Sequence, residues 1–199
     1  LLSHTDPPLV DAVELYNTND APVDVGGWWL TDDVAAPLKF RIPDGTLVPA
    51  RGHLVFDETD FNTPSNAPGS FTFASTGDDV WLFSADAQSN LTGFVAGQDF
   101  GAAPNAVSFG RHVNSVDDYF FVLQSARSLD ETNADPQVGP LVLTEVHYHP
   151  VDDGTNANTR DEFVELLNND AAPLSLSDPL FPTNRWRLDG AVRYTFPTG

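Results

Sequence analysis

The block Ala12-Val13-Glu14-Leu15-Tyr16-Asn17 returns as Phe163-Val164-Glu165-Leu166-Leu167-Asn168, 151 positions on. Ala21-Pro22-Val23-Asp24-Val25 returns at the same offset as Ala172-Pro173-Leu174-Ser175-Leu176. Trp28-Trp29-Leu30-Thr31 then matches Trp186-Arg187-Leu188-Asp189, beyond an insertion around Asp178–Asn184. Phe40-Arg41-Ile42-Pro43-Asp44-Gly45 matches Tyr194-Thr195-Phe196-Pro197-Thr198-Gly199. Four blocks in one order predict one structural unit used twice. The copies differ in what surrounds these blocks. The second opens with an apolar run, Leu141–His149, that has no recognisable counterpart before Val10, and the first runs on far beyond Gly45.

No stretch holds a helical period of 3.6. Short β-rich runs recur instead, at Val10–Asn17, Gly27–Thr31, Leu38–Ile42, His53–Asp57, Phe71–Ala74, Val80–Ser84, Thr92–Val95, Ala106–Phe109, Tyr119–Leu123 and Leu141–His149. Gly, Pro, Asn and Asp clusters separate them, and the prolines fall between runs because proline cannot donate to a ladder. This pattern predicts an all-β chain of antiparallel sandwiches, each about 100 residues. Asp130–Pro140 is polar and ends in Gly139-Pro140, a linker signature. The expected organisation is a nearly complete domain over 1–134, a linker over 135–140 and the first half of a second domain over 141–199.

Charge narrows the partners. Asp and Glu number 29 against nine Lys and Arg, for a formal charge of −20. Such a surface repels phosphate backbones and anionic lipid, which argues against nucleic acid and membrane surfaces and in favour of divalent cations or basic proteins. Twenty-three of the acids are Asp, a turn residue, so much of the acidity belongs to solvated turns. With no cysteine there is no disulfide framework, thiolate nucleophile or cysteine zinc site. No apolar run approaches the length of a membrane span, about 20 residues, and no signal peptide is visible. Leu1 is not a natural translation start, so the chain is expected to be a piece of something longer.

The ordered set Ala12–Asn17, Gly26–Leu30, Phe40–Pro43, Leu47–Phe56 and Gly77–Leu82 resembles the lamin tail domain family, an immunoglobulin-like β-sandwich of nuclear lamins and of many secreted bacterial proteins. Val107-Ser108-Phe109-Gly110-Arg111 is similar to a late strand of the bacterial members, and Leu143–Pro150 to their opening strand. The resemblance implies a scaffold or interaction module of a larger exported protein, at the cell surface or outside the cell, and not an enzyme. That step is analogy from fold.

The residues themselves point mostly to fold maintenance. Alternation places Val13 and Leu15 on one face of their strand, with Glu14 and Tyr16 on the other. Trp28 or Trp29 is expected at the sandwich centre, and Asn17 and Asn168 are expected to cap turns through their side chains. The sharpest candidate for chemistry is Glu145-x-His147-x-His149, since alternate residues of a strand share a face and could converge on zinc. Acidic pairs recur at Asp32-Asp33, Asp78-Asp79, Asp117-Asp118 and Asp152-Asp153. The last lies in the loop richest in carboxylates, so Asp152 and Asp153 are the candidate calcium ligands, although no Asp-x-Asp-x-Asp-Gly loop is present. Trp29, Trp81 and Tyr119 could stack on sugars, though strand aromatics more often belong to a core. No Gly-x-Ser-x-Gly elbow or phosphate-binding glycine loop occurs, so no catalytic residue is assigned.

Three functions follow, in order of expectation. The first is a non-catalytic structural or adhesive module that self-associates by strand addition, without a cofactor. The second is an accessory binding calcium or carbohydrate beside an extracellular enzyme. The third is a metal-dependent hydrolase built around His147.

Overall fold

The computed structural model describes residues 1–198. They form two compact units, one from Leu1 to Gln137 and one from Val138 onward. The secondary structure is almost entirely antiparallel strand.

In the first unit the strands are β1 (Ala12–Tyr16), β2 (Val23–Asp24), β3 (Trp29–Thr31), β4 (Phe40–Arg41), β5 (Leu47–Val48), β6 (His53–Asp57), β7 (Gly77–Ala85), β8 (Leu91–Gly101), β9 (Phe109–Val113) and β10 (Tyr119–Leu123). β1 pairs with β6, β2 with β5 and β9 with β10, while β4-β3-β7-β8 make one four-stranded sheet. Val13 lies opposite Phe56 and Leu15 opposite Leu54, so the apolar alternation of β1 meets the same alternation in β6. These side chains join Leu30 of β3, Val80 of β7 and Phe100 of β8 in one core.

The centre of that core is not the tryptophan expected from the sequence. Leu30 is fully buried, whereas Trp28 is half-buried at the margin and Trp29 projects to the opposite face of its strand. Phenylalanines fill the space instead. Phe61 and Phe71 stack with centroids 4.6 Å apart, Phe73 meets Phe71 and Phe100 edge-on at 5.7 and 5.8 Å, and Phe109 stacks on Phe121 at 5.7 Å. Phe61 arrives on a single helical turn, α1 (Glu58–Phe61). Asp57 caps it by accepting from the Thr59 N–H, and the Asp60 carboxylate accepts from the Asp57 N–H.

Several other expectations are corrected. Phe71–Ala74 is not a strand; its two phenylalanines are held in the core by a connection that borrows a side chain, with Asp11 accepting from the Phe73 N–H at 3.1 Å. The run placed at Ala106–Phe109 starts as a strand only at Phe109, and β7 and β8 extend well past Val80–Ser84 and Thr92–Val95. The first unit also has an opening segment. Leu2 exchanges both backbone hydrogen bonds with Ala12, at 2.7 and 2.9 Å, and Leu1 accepts from the Phe109 N–H at 2.8 Å. Leu1, Leu2 and Ser3 are buried. Nor are residues 135–137 a free linker: Ser125 donates to the Asp135 carbonyl and Gln137 to that of Leu123, adding this segment to the end of β10.

In the second unit the strands are β11 (Leu141–His147), β12 (Phe163–Asn168), β13 (Arg187–Leu188) and β14 (Tyr194–Thr195). They pair as β11–β12 and β13–β14 only. Local bonding repeats that of the first unit. Arg187 and Leu188 oppose Thr195 and Tyr194 as Trp29 and Leu30 oppose Arg41 and Phe40. The Phe196 N–H donates to Trp186 as that of Ile42 does to Trp28, and Trp186 donates to Leu176 as Trp28 does to Val25. What is not repeated is burial: among the described residues, every buried hydrophobic side chain lies at or before Phe109.

Candidate functional site

β1 ends in Asn17, which is 5% exposed. Its side chain accepts from the Asn19 N–H at 2.9 Å and donates to the Ala21 carbonyl at 2.8 Å, closing the turn that leads to β2. It also reaches across to β5 and the residue after it, donating to the carbonyls of Val48 at 3.2 Å and Pro49 at 2.9 Å. A short, buried carboxamide thus joins two turns, and its bond to the Val48 carbonyl is enclosed. The sequence marks Asn17 as a turn cap and says nothing of these cross-links, because their partners lie some thirty residues away.

β12 ends in Asn168, the counterpart of Asn17. Its side chain accepts from Asp170 N–H at 3.0 Å and donates to the Ala172 carbonyl at 2.8 Å. The local half of the arrangement is therefore complete, and Asn168 is exposed. One edge of β12 is paired with β11, and no strand pairs with the other among the described residues. In this unit Leu143, Tyr148, Phe163, Leu167 and Trp186 are 44–80% exposed. An open strand edge in a unit with exposed apolar side chains is suited to adding another strand.

The residues singled out for metal chemistry are placed differently. Asp152 and Asp153 line an open cleft of about 390 Å³ with Val151, Asn158, Arg160 and Asp161. Arg160 donates to the Asp153 carboxylate at 3.0 Å, and Asn158 donates to that of Asp161 at 2.7 Å. A guanidinium thus stands where a calcium ion would need charge of the opposite sign. His147 tilts against the Phe163 ring at 5.3 Å, and β11 is bulged between Leu143 and Glu145 while its regular pairing stops at His147. Among the described residues no three His, Asp or Glu side chains gather as metal ligands. Two of the other acidic pairs are engaged locally: Asp33 accepts from Ala35 N–H, Asp78 from Ala74 N–H, and Asp32 pairs with Lys39.

The aromatic candidates divide between two sheets. Trp29 and Trp81 share the outer face of the four-stranded sheet and are half-buried, their indole N–H groups enclosed without a partner. Trp81 lies flat against Gly97, where a Cβ would sit 2.0 Å from its ring. Tyr119 stands on β10, with the Arg111 guanidinium 5.7 Å over its ring.

Three carboxyls are perturbed, two of them upward. Burial raises the Asp11 pKa, against the hydrogen bonds from Thr5 and Phe73 that favour its charged form. Burial likewise raises that of Glu14, which accepts from the Asp130 N–H. Both tie distant segments together within the first unit. At the β7–β8 turn, Asn90 bonds lower the pKa of the exposed Asp86.

With strand order, register and the Asn17 cross-links in view, comparison with known families becomes informative. Residues 3–97 match the lamin tail domain. The match runs from the opening segment into β8, so it takes in β1–β7 and the Asn17 arrangement. The lamin tail domain is an immunoglobulin-like domain of a non-enzymatic type, and the nearly all-β build of the first unit is consistent with its fold. No curated protein and no solved structure gives a significant match.

Proposed function

We propose that the chain is a non-catalytic structural or adhesive assembly module, carrying one lamin-tail-like sandwich and the early strands of a second. In this reading it belongs to a larger exported protein and acts at the cell surface or beyond, where its acidic surface keeps it hydrated. Its partner is protein, and in the simplest case another copy of itself, engaged by strand addition.

The observation that carries this reading is the open edge of β12 in a unit whose large apolar side chains are left uncovered. A unit with so little buried apolar surface cannot offset the entropy of ordering its backbone, so it gains by taking up strands from elsewhere. Light scattering over a range of concentrations tests it. The full chain is expected to self-associate at physiological salt, and residues 1–137 alone to stay monomeric. A full chain that remains a monodisperse monomer at every concentration, with residues 138–199 resistant to protease, would contradict the reading.

Calcium is secondary. The Arg160–Asp153 pair supports weak binding at most, in the millimolar range of extracellular modules. Calorimetry with calcium is expected to show no tight isotherm. Tight binding lost in Asp152→Asn and Asp153→Asn would establish these residues as a site and contradict this ranking.

A further inference from the structure

The sheet β4-β3-β7-β8 turns one face to the core of the first unit, through Leu30, Val80 and Phe100. Register sets what stands on its other face. Trp29 lies beside Phe83, Trp81 beside Gly97 and Asp79 beside Asp99, with Arg41 opposite Trp29 on β4. Phe83 is buried there, and both tryptophans are half-buried.

Gly97 is what lets Trp81 lie flat on this face. A Cβ at that position would fall 2.0 Å from Cε3, 2.3 Å from Cζ3 and 2.5 Å from Cδ2 of the indole, so the ring rests directly over the glycine. Glycine weakens a strand, and its use inside one marks a close approach. The Trp81 N–H is enclosed and unpartnered, so it offers no hydrogen bond outward. What the side chain can present is the ring, whose face is the negative end of an aromatic quadrupole.

Asp79 and Asp99 are the next pair along the same two strands. Directly opposed residues of an antiparallel ladder stand about 5 Å apart at Cβ, where like charges repel. Neighbouring Asp78 is occupied, accepting from the Ala74 N–H at 3.0 Å. The Asp79 and Asp99 carboxylates have no Lys or Arg partner among the described residues. The basic side chain of this face, Arg41, is held by Asp44 at 2.7 Å. An uncompensated carboxylate pair beside an aromatic plane is complementary to a flat cation. A guanidinium stacks on an indole and forks a carboxylate. An ammonium lacks that plane and fork, and a neutral sugar leaves the charge pair unrelieved.

We propose that the outer face of β7 and β8 is a docking site for an arginine side chain of a basic partner protein. The guanidinium stacks on Trp81 and is held by Asp79 and Asp99. The formal charge of −20 draws such a partner in. This contact is separate from strand addition at β12 and stands if that reading fails.

The test titrates the full chain with the peptide acetyl-Gly-Arg-Gly-amide and with its lysine and citrulline analogues. The arginine peptide is expected to shift the Trp81 ring resonances to saturation. The lysine peptide should bind more weakly and the citrulline peptide not at all, and added salt should weaken binding. Asp99→Asn is expected to weaken the arginine peptide about tenfold, the loss of one charge-assisted hydrogen bond. The same change should raise the urea midpoint, since it relieves the like-charge pair. Trp81→Leu should abolish binding; if it disturbs the fold, Asp79→Asn joins Asp99→Asn in its place. Equal binding of the citrulline peptide, or undiminished binding by Asp99→Asn, overturns the inference. So does saturable binding of a neutral cello-oligosaccharide at Trp81, which would make the face a sugar platform. A urea midpoint lowered by Asp99→Asn overturns it as well, because the carboxylate would then serve the fold.

Discussion

At the scale of single residues, interior polar groups decide more than the apolar pattern suggests. Asn17→Ala removes a buried side chain and leaves the carbonyls of Ala21, Val48 and Pro49 without this donor, that of Val48 in an enclosed position. It is expected to cost about 2–3 kcal/mol in urea unfolding, whereas Asn168→Ala, exposed and half-bonded, should cost under about 1 kcal/mol. Asp11 contributes in the opposite sense at neutral pH. Its folded pKa is raised by burial, so its stabilising effect is present below the unfolded value, near 4, and is lost as pH rises through the folded value. Stability is therefore expected to fall as pH rises out of the carboxylate range, with Glu14 adding to the slope. Asp11→Asn should flatten that slope in unfolding curves measured at successive pH values, and an unchanged slope would show that other carboxylates set it.

At the scale of elements, the runs legible in the sequence were those whose alternation sits on a regular ladder. His53–Asp57 and Tyr119–Leu123 emerge with the expected bounds, because each pairs along its whole length with one neighbour. Phe71–Ala74 did not, because its phenylalanines are buried by a connection whose backbone is fixed through the Asp11 side chain and not by a ladder. The opening segment was missed for another reason. Leu1–His4 is short, and its match to Val146–His149, inferred from pairing, shares a single histidine. Asp152 and Asp153 are legible only as carboxylate density, and composition does not show that Arg160 pairs with Asp153. Two substitutions test this level. Phe71→Ala, outside any strand, is expected to cost about 3–5 kcal/mol because it opens the stack with Phe61 and Phe73. Gly97→Ala in β8 should destabilise by about 1–3 kcal/mol, since Trp81 must leave its place on the glycine. A neutral effect at either position would show that the surrounding packing is looser than described.

At the scale of the whole molecule, the sequence repeat carries into bonding but not into burial. The paired strands, the Trp186 and Phe196 backbone bonds and the Asn168 turn all reproduce their counterparts, so short-range sequence suffices to shape them. A core needs strands from further along a chain or from another chain, and for these four strands none is supplied among the described residues. Residues 1–137 should therefore unfold cooperatively with unchanged midpoint when residues 138–199 are deleted, as judged by near-ultraviolet dichroism. Hydrogen exchange on the full chain, at a dilution where it is monomeric, separates an enclosed core from an uncovered sheet. Strong protection is expected in β1, β3 and β7, with β12 exchanging at rates close to those of an unstructured peptide. Protection of β12 equal to that of β1 in the isolated monomer would contradict it.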